Sequence, residues 1–323
     1  MSNPVDELLN RPIPGKLWHY TSIQGFQAIV ASKSMWATDL RFLNDREEFI
    51  HTRSIASKVV AATPELDANG FLNREFLAKA VTLAFDSGPL ANSQVFVASF
   101  SAAEDQLGQW RGYSYGSTGV SLGFDLRAFR PPADIGTLVS FAPCVYDPVE
   151  KDELVLQALH HFRKEVGGYR EKAFKAACDL DPEKLTSKDK EQVVKEFLEA
   201  NPSQKEPREK FLAAVTKTRI DCLRIAALLK HSSFKEESEW RLVLPTLLDR
   251  TTPMNNPPRF RAGKTTLIPY IAHPFSPAGP LPLVDIILGP GSDEDSVFAA
   301  ERFLKSQDLN VKPRLSKVPY RAA

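Results

Sequence analysis

Cysteine is scarce. The chain has three, Cys144, Cys178 and Cys222, which are far apart, odd in number and not at zinc-ligand spacings. Neither a disulfide framework nor a zinc framework is expected, and a reducing cytoplasm is the expected location. An excess of charge of one sign is missing too. Against 41 Lys and Arg stand 40 Asp and Glu, so the net charge is +1. No field then steers the chain onto nucleic acid or an anionic membrane. No uninterrupted apolar stretch approaches the ~18 residues of a membrane helix. The N-terminal MSNPVDELLN has no basic region followed by an apolar core, so no signal peptide is expected. Internal repeats and low-complexity tracts are also lacking. What remains is the composition of an ordinary soluble globular protein, with 43% hydrophobic and 25% charged residues. The 323 residues are enough for one large domain or two ordinary ones.

Apolar spacing divides the chain into elements. KLWHY (16–20) reads as a strand, and SIQGFQAIVASK from Ser22 as a helix with Ile23, Phe26, Ile29 and Val30 on one face. SMWATDL is extended. FLNDREEF leads into a second helix to about Val60, and FLNREFLAKAVTLAF is helical. SQVFVASFS is a mostly buried strand, and TGVSLGFDL alternates Val120, Leu122 and Phe124 on one face. From about 150 to 230 the sequence turns rich in Lys, Glu, Ala and Leu, with breaks at Asp181-Pro182 and Asn201-Pro202; three inserted helices are expected. Strands return as WRLVLP, TTLIPY and VDIILGP. A helix starts near Ser292 and runs to about Ser306, and NVKPRLSKV is the last strand. The expectation is a single α+β domain over 1–323, a mixed or antiparallel sheet core carrying a helical insertion.

Several motifs fail on inspection. AGKTT (262–266) lacks the glycine that a phosphate-binding loop needs five residues before Gly263, where Pro258 stands. Gly116, Gly119 and Gly123 precede a strand, so a dinucleotide-binding βαβ turn is unsupported. His160-His161 has no ligand partner at helical spacing and reads as a solvated face. Gly289-Pro290-Gly291-Ser292 reads as an ordinary strand-to-helix turn, with anion binding as the alternative.

Three polar stretches at strand boundaries survive. The first is Trp18-His19-Tyr20-Thr21-Ser22, where a strand end with a helix cap is the plain alternative. The second is Ser99-Phe100-Ser101. The third is Glu237-Ser238-Glu239, opening the run WRLVLP with Arg241 in its midst. In an extended chain, residues i and i+2 share a face, so Glu237 and Glu239 are expected side by side. A solvated strand edge is the alternative.

The order His, Ser-x-Ser, Glu-x-Glu resembles that of ADP-ribosyltransferases. FKEESEWRLVLP resembles the Glu-x-Glu strand of the arginine-modifying members. VASFS resembles their Ser-Thr-Ser strand, with Phe100 in place of the threonine. WHYTS resembles the His-Gly-Thr/Ser strand of the polymerase-like members, with Tyr20 in place of glycine. More closely, the blocks HYTS, MWATDLRFLNDREEF, VASFSAAEDQLGQWRGYSYGSTGVSLGFD and FKEESEWRLV resemble a bacterial family, "domain of unknown function 2971". Asn44, Asp45 and Glu48 match its Asn-Asp-x-x-Glu, and Trp110 and Tyr113 its Trp-x-x-Tyr. These blocks run from Leu17 to about Leu244.

The transferase resemblance implies an enzyme that consumes NAD as co-substrate, needs no metal, and passes ADP-ribose to an unknown acceptor (protein, nucleic acid, small molecule or water). Cleaving nicotinamide from ribose passes through an oxocarbenium-like state, which a fixed carboxylate stabilises. The resemblance gives that role to Glu239, with Glu237 on the acceptor side. It places His19 and Thr21, with Tyr20, at the ribose or phosphate, and Ser99 and Ser101 beside Glu239. Tyr113 or Tyr115 would stack on nicotinamide. Trp110 and Asn44 complete the cleft, with Asp45 and Glu48 as structural support. His19, Ser99 and Glu239 are expected to converge on one cleft. Two alternatives stay open. One is a nucleotide-binding sensor or partner in a defence or toxin system, with the insertion as a protein-binding surface. The other is a nuclease or phosphoesterase holding a divalent metal on Asp45, Glu48, Glu237 and Glu239.

Overall fold

In the computed structural model, strands form where apolar side chains alternate, and helices where they recur every three or four residues. The structure describes residues 4–43, 54, 93–113, 118–127, 129, 139–166, 221, 223–247, 257–263, 265–275 and 280–319. After α1 (Pro4–Leu9), β1 (Leu17–Ser22) runs into α2 (Ile23–Ser32). Ser22 caps that helix, its hydroxyl accepting from the Gly25 N–H at 3.1 Å. Phe26, Ile29 and Val30 are its buried face. There follow β2 (Ser34–Asp39), β3 (Ser93–Ser101), α3 (Leu107–Tyr113), β4 (Gly119–Phe124), β5 (Ser140–Pro143) and α4 (Pro148–Val166). Then come β6 (Glu239–Leu247), β7 (Arg259–Ala262), β8 (Leu267–Pro274), β9 (Leu283–Leu288), α5 (Glu294–Ser306) and β10 (Pro313–Leu315).

The ten described strands form one sheet in the order β10-β9-β4-β1-β3-β2-β8-β7, with β6 also on β3, and β5 on β6. The pairings are antiparallel except β9 with β10, which is parallel. The class is α+β with a mixed, mostly antiparallel sheet. On one side β3 pairs with β6 along its whole length, from Ser93↔Leu247 to Ser101↔Glu239. Its other side is shared. There β1 meets it at Trp18↔Ser101, and β2 at Thr38↔Val97 and Asp39↔Phe96. Between those contacts β1 and β2 part, so the sheet is split beside Ser99.

One side of the sheet is the main apolar core. Leu17, Phe96, Ala98, Phe100, Val120, Leu122, Phe124, Trp240, Leu242 and Leu244 point into it, closed by Phe26 of α2 and Ala300 and Leu304 of α5. Each buried Leu or Phe contributes about 1.5–3 kcal/mol. Alternation turns Ser99, Ser101, Glu239 and Arg241 to the other side.

Some local expectations change. SFAP (β5), RFRA (β7) and LGQWRGY (α3) are elements that apolar spacing does not announce. NVKPRLSKV is a strand only over Pro313–Leu315, where the β9 edge is available. At the described ends of AGKTT, Ala262 closes β7 and the Gly263 N–H donates to the Thr266 carbonyl at 2.9 Å, joining β7 to β8, which removes the phosphate-loop alternative. Of the expected insertion, α4 and the segment from Leu223 are described. Of the helix expected after Phe42 to about Val60 only Ser54, helical and exposed, is described. The helix expected over FLNREFLAKAVTLAF and residues 167–220 lie outside the described residues.

Candidate functional site

The two carboxylates do not share a strand. Ser232–Glu237 is a 3-10 turn, and Ser238 is left-handed at φ 44°, its N–H on the Lys235 carbonyl at 3.2 Å. The strand starts at Glu239, so the i, i+2 argument that set Glu237 beside Glu239 does not apply. They meet by another route. Lys230 Nζ donates to Glu237 Oε2 at 2.7 Å and to Glu239 Oε2 at 2.6 Å. Arg241, two residues along β6 on the same side, donates through Nε to Glu239 Oε1 at 2.8 Å and through Nη2 to Oε2 at 3.1 Å. Its Nη1 donates to the Ala227 carbonyl at 2.8 Å. The Glu239 N–H donates to Tyr146 Oη at 3.0 Å. Lys230 is set in place by the Val145↔Leu229 bridge, its own N–H on the Val145 carbonyl at 3.0 Å.

Burial makes this network costly to break. Lys230 is 0% exposed, Arg241 1% and Glu239 4%, whereas the Glu237 side chain keeps 20%. Burial alone pushes the Glu239 pKa up. The Arg241 and Lys230 charges and their hydrogen bonds outweigh it and bring the value down to about 2. For Lys230, burial favours the neutral amine, but the Glu239 charge and the two carboxylate bonds raise its pKa above the ordinary lysine value. Glu239 is therefore a fixed, ionised carboxylate rather than a proton carrier, and Glu237 is the carboxylate nearer to solvent.

His19 sits in the split. Its Nδ1 lies 2.8 Å from the Ser99 carbonyl, and its ring is 5.8 Å from that of Phe100. Burial pushes the imidazole pKa down; the Ser99 bond opposes this, and the nearby Arg261 charge adds to it. A carbonyl only accepts, so Nδ1 carries the proton and Nε2 is a bare acceptor. Alternation places His19 on the core side of β1 with Leu17, while Glu239 leaves β6 on the other side with Ser99 and Ser101. The strands bearing His, Ser-x-Ser and Glu-x-Glu are adjacent, and the histidine reaches the middle one through its backbone. The expected convergence of the His19, Ser99 and Glu239 side chains on one cleft is not met, because successive side chains alternate and His19 falls on the opposite side of the sheet. Thr21 is half-buried and packs on Gly25, where a Cβ would lie 2.0 Å from Thr21 Oγ1.

The other candidates are committed to internal contacts. Tyr20 Oη donates to the Ala103 carbonyl at 2.9 Å and accepts from the Gln106 N–H at 3.1 Å. Burial pushes its pKa up to about 12. Ser101 Oγ donates to the Glu237 carbonyl at 2.7 Å and accepts from the Ala103 N–H at 3.0 Å, tying the 3-10 turn to β3. Trp110 is buried, packs edge-on to Tyr20 at 4.9 Å, and donates from Nε1 to Asp105 Oδ1 at 2.7 Å. Tyr113 packs on the same Trp18–Tyr20–Trp110–Ile287 cluster. Asn44, Asp45, Glu48 and Tyr115 lie outside the described residues.

Sequence reasoning missed Lys230, Tyr146 and the pairing role of Arg241. Arg241 did leave a signal, since a guanidinium in the middle of a buried strand requires an anion, and Glu239 is the acid on its side. The Lys230 ammonium occupies the space between Glu237 and Glu239 that a bridging divalent ion would need. Among the described residues no group of three His, Cys, Asp or Glu forms a metal set.

Residues 109–242 match the model of a family described as protein of unknown function (DUF2971). The match begins inside α3 and ends inside β6, so it takes in Trp110, Tyr113, Lys230 and the Glu237–Arg241 stretch. The HYTS, Asn-Asp-x-x-Glu and VASFS blocks lie before it. No curated protein and no solved structure matches the chain.

Proposed function

We propose that this chain is an ADP-ribosyltransferase-like enzyme that cleaves the nicotinamide–ribose bond of NAD and passes ADP-ribose to an acceptor or to water. The observation that carries the reading is the adjacency of β1, β3 and β6, with Trp18↔Ser101↔Glu239 on one line across the sheet. Residues separated by some 80 and 140 positions, which bear the three parts of the transferase pattern, stand in neighbouring strands. Glu239 supplies a carboxylate that stays ionised and is held by a strand, which suits a charge developing on ribose. Glu237, tethered to the same ammonium but nearer solvent, faces the acceptor. His19 ties β1 to β3, its Nδ1 on the Ser99 carbonyl at 2.8 Å. No proton passes through Glu239.

A second reading is favoured by the sealing of Glu239 beneath Lys230 and Arg241 and by its departure to the side opposite His19: a nucleotide-binding module without turnover. The two readings separate in one assay. The protein is incubated with NAD, with and without a chelator, and free nicotinamide is measured beside calorimetric NAD binding. The transferase reading expects nicotinamide release that survives chelation. Binding with no release supports the second reading, and release that needs a metal overturns the first in favour of metal-dependent chemistry.

A further inference from the structure

On the Glu239 side of the sheet, β2, β8 and β7 bring two aromatic rings and two arginines together. Trp36 and Thr38 leave β2 on the side opposite Met35 and Ala37, which belong to the apolar core. Thr38 pairs with Val97 of β3 and with Tyr270 of β8, so these three share that side. Arg259 stands across from Tyr270, and Arg261 across from Ile268, on the same side again. The Trp36 and Tyr270 rings are stacked, their centroids 4.5 Å apart and their planes inclined by 27°. Tyr270 is buried, whereas Trp36 is half-buried, so the tyrosine fixes an indole that keeps accessible surface. Both arginines are exposed, and Arg261 reaches across β8, its Nη2 donating to Thr38 Oγ1 at 3.2 Å. Among the described residues neither guanidinium has a carboxylate partner. A rigid, accessible indole suits a planar base, which stacks on it. A guanidinium suits a phosphate, bound by charge-assisted and often bidentate hydrogen bonds. Glu239 lies two strands away on the same side, about 10 Å across the sheet and about 7 Å along it.

We propose that Trp36, backed by Tyr270, is the base-stacking surface of a nucleoside diphosphate site on the Glu239 side of the sheet, with Arg259 and Arg261 taking the phosphates. The inference rests on the NAD reading for adenine as the base, but stacking on Trp36 beside two free cations is a separate claim. Tyr270 and Thr38 are positioning residues, one for the indole and one for the Arg261 guanidinium.

The test uses the full chain and three probes, ADP, adenosine and inorganic pyrophosphate. Each is titrated by calorimetry into wild type, Trp36→Ala, Trp36→Phe and the double variant Arg259→Gln, Arg261→Gln. Loss of one stacking ring predicts ADP and adenosine affinities about tenfold to a hundredfold weaker in Trp36→Ala, with pyrophosphate unchanged. Trp36→Phe, which keeps a ring, should recover most of that loss. The double arginine variant should weaken ADP and pyrophosphate and leave adenosine unchanged. Its two positions are exposed, so it tests the site even where Trp36→Ala fails to fold. ADP affinity equal to wild type in a folded Trp36→Ala or in the double arginine variant overturns the assignment, as does failure of wild type to bind ADP. Nicotinamide release from NAD is measured separately on wild type, so the NAD reading stands or falls on its own result.

Discussion

Lys230 is a fully buried ammonium whose neighbours are the two glutamates that the sequence singles out. Two carboxylates near one another repel unless a cation is shared, and here the shared cation comes from outside the Glu-x-Glu stretch. Removing one member of such a network leaves an uncompensated charge and costs about 3–5 kcal/mol. Lys230→Met should therefore lower stability by that order, measured by urea denaturation. The pH dependence follows from Glu239. Its folded pKa, about 2, lies below the ordinary 4.5. A depressed carboxylate contributes stability that is full above pH 4.5 and is lost as pH falls toward 2. For this buried group the contribution is on the order of 3 kcal/mol. Subtracting the stability of Glu239→Gln from that of wild type should give a difference that shrinks steadily over that window. A difference independent of pH would contradict the ion-pair account. The acidic pair was legible as a pair, and Arg241 as an anomaly. Lys230 was not, because only the Val145↔Leu229 bridge brings it there.

At the scale of elements, what was legible was whatever alternates. β1, β2, β3, β4, β8 and β9 carry apolar residues on one side and were visible in the spacing. β7 is exposed at every position, and β5 is four residues ending in proline, so neither has a pattern to read. The turn Ser232–Glu237 hid for another reason. Nothing in FKEESEW announces a left-handed residue, yet Ser238 adopts φ 44° so that the chain can pass from the turn into β6. That bend detaches Glu237 from the strand and lets it reach Lys230. For a non-glycine residue this conformation costs about 1–2 kcal/mol, and a β-branched side chain suffers most. Ser238→Gly should hold or slightly raise the melting temperature, while Ser238→Val should lose about 1–2 kcal/mol. If Ser238→Val melts like wild type, the left-handed bend is not what joins the turn to the strand.

At the scale of the molecule, the sheet places the three pattern-bearing strands side by side and opens a split beside the middle one. The α+β class followed from the order of strand-like and helix-like segments. The split could not, because it depends on β1 and β2 sharing one side of β3, and pairing partners are not written in periodicity. The central claim is that the carboxylate at the head of β6 serves NAD cleavage. It is tested most directly by nicotinamide release from NAD in wild type, Glu239→Gln and Glu237→Gln. Each is assayed below its own melting temperature, with circular dichroism verifying the fold. Loss of one preorganised carboxylate predicts a rate lower by about 10²–10³ in Glu239→Gln. Glu237→Gln should keep hydrolysis to water and lose transfer to an acceptor. A folded Glu239→Gln that releases nicotinamide at the wild-type rate would contradict the account and leave the Lys230–Glu239–Arg241 network a purely structural one.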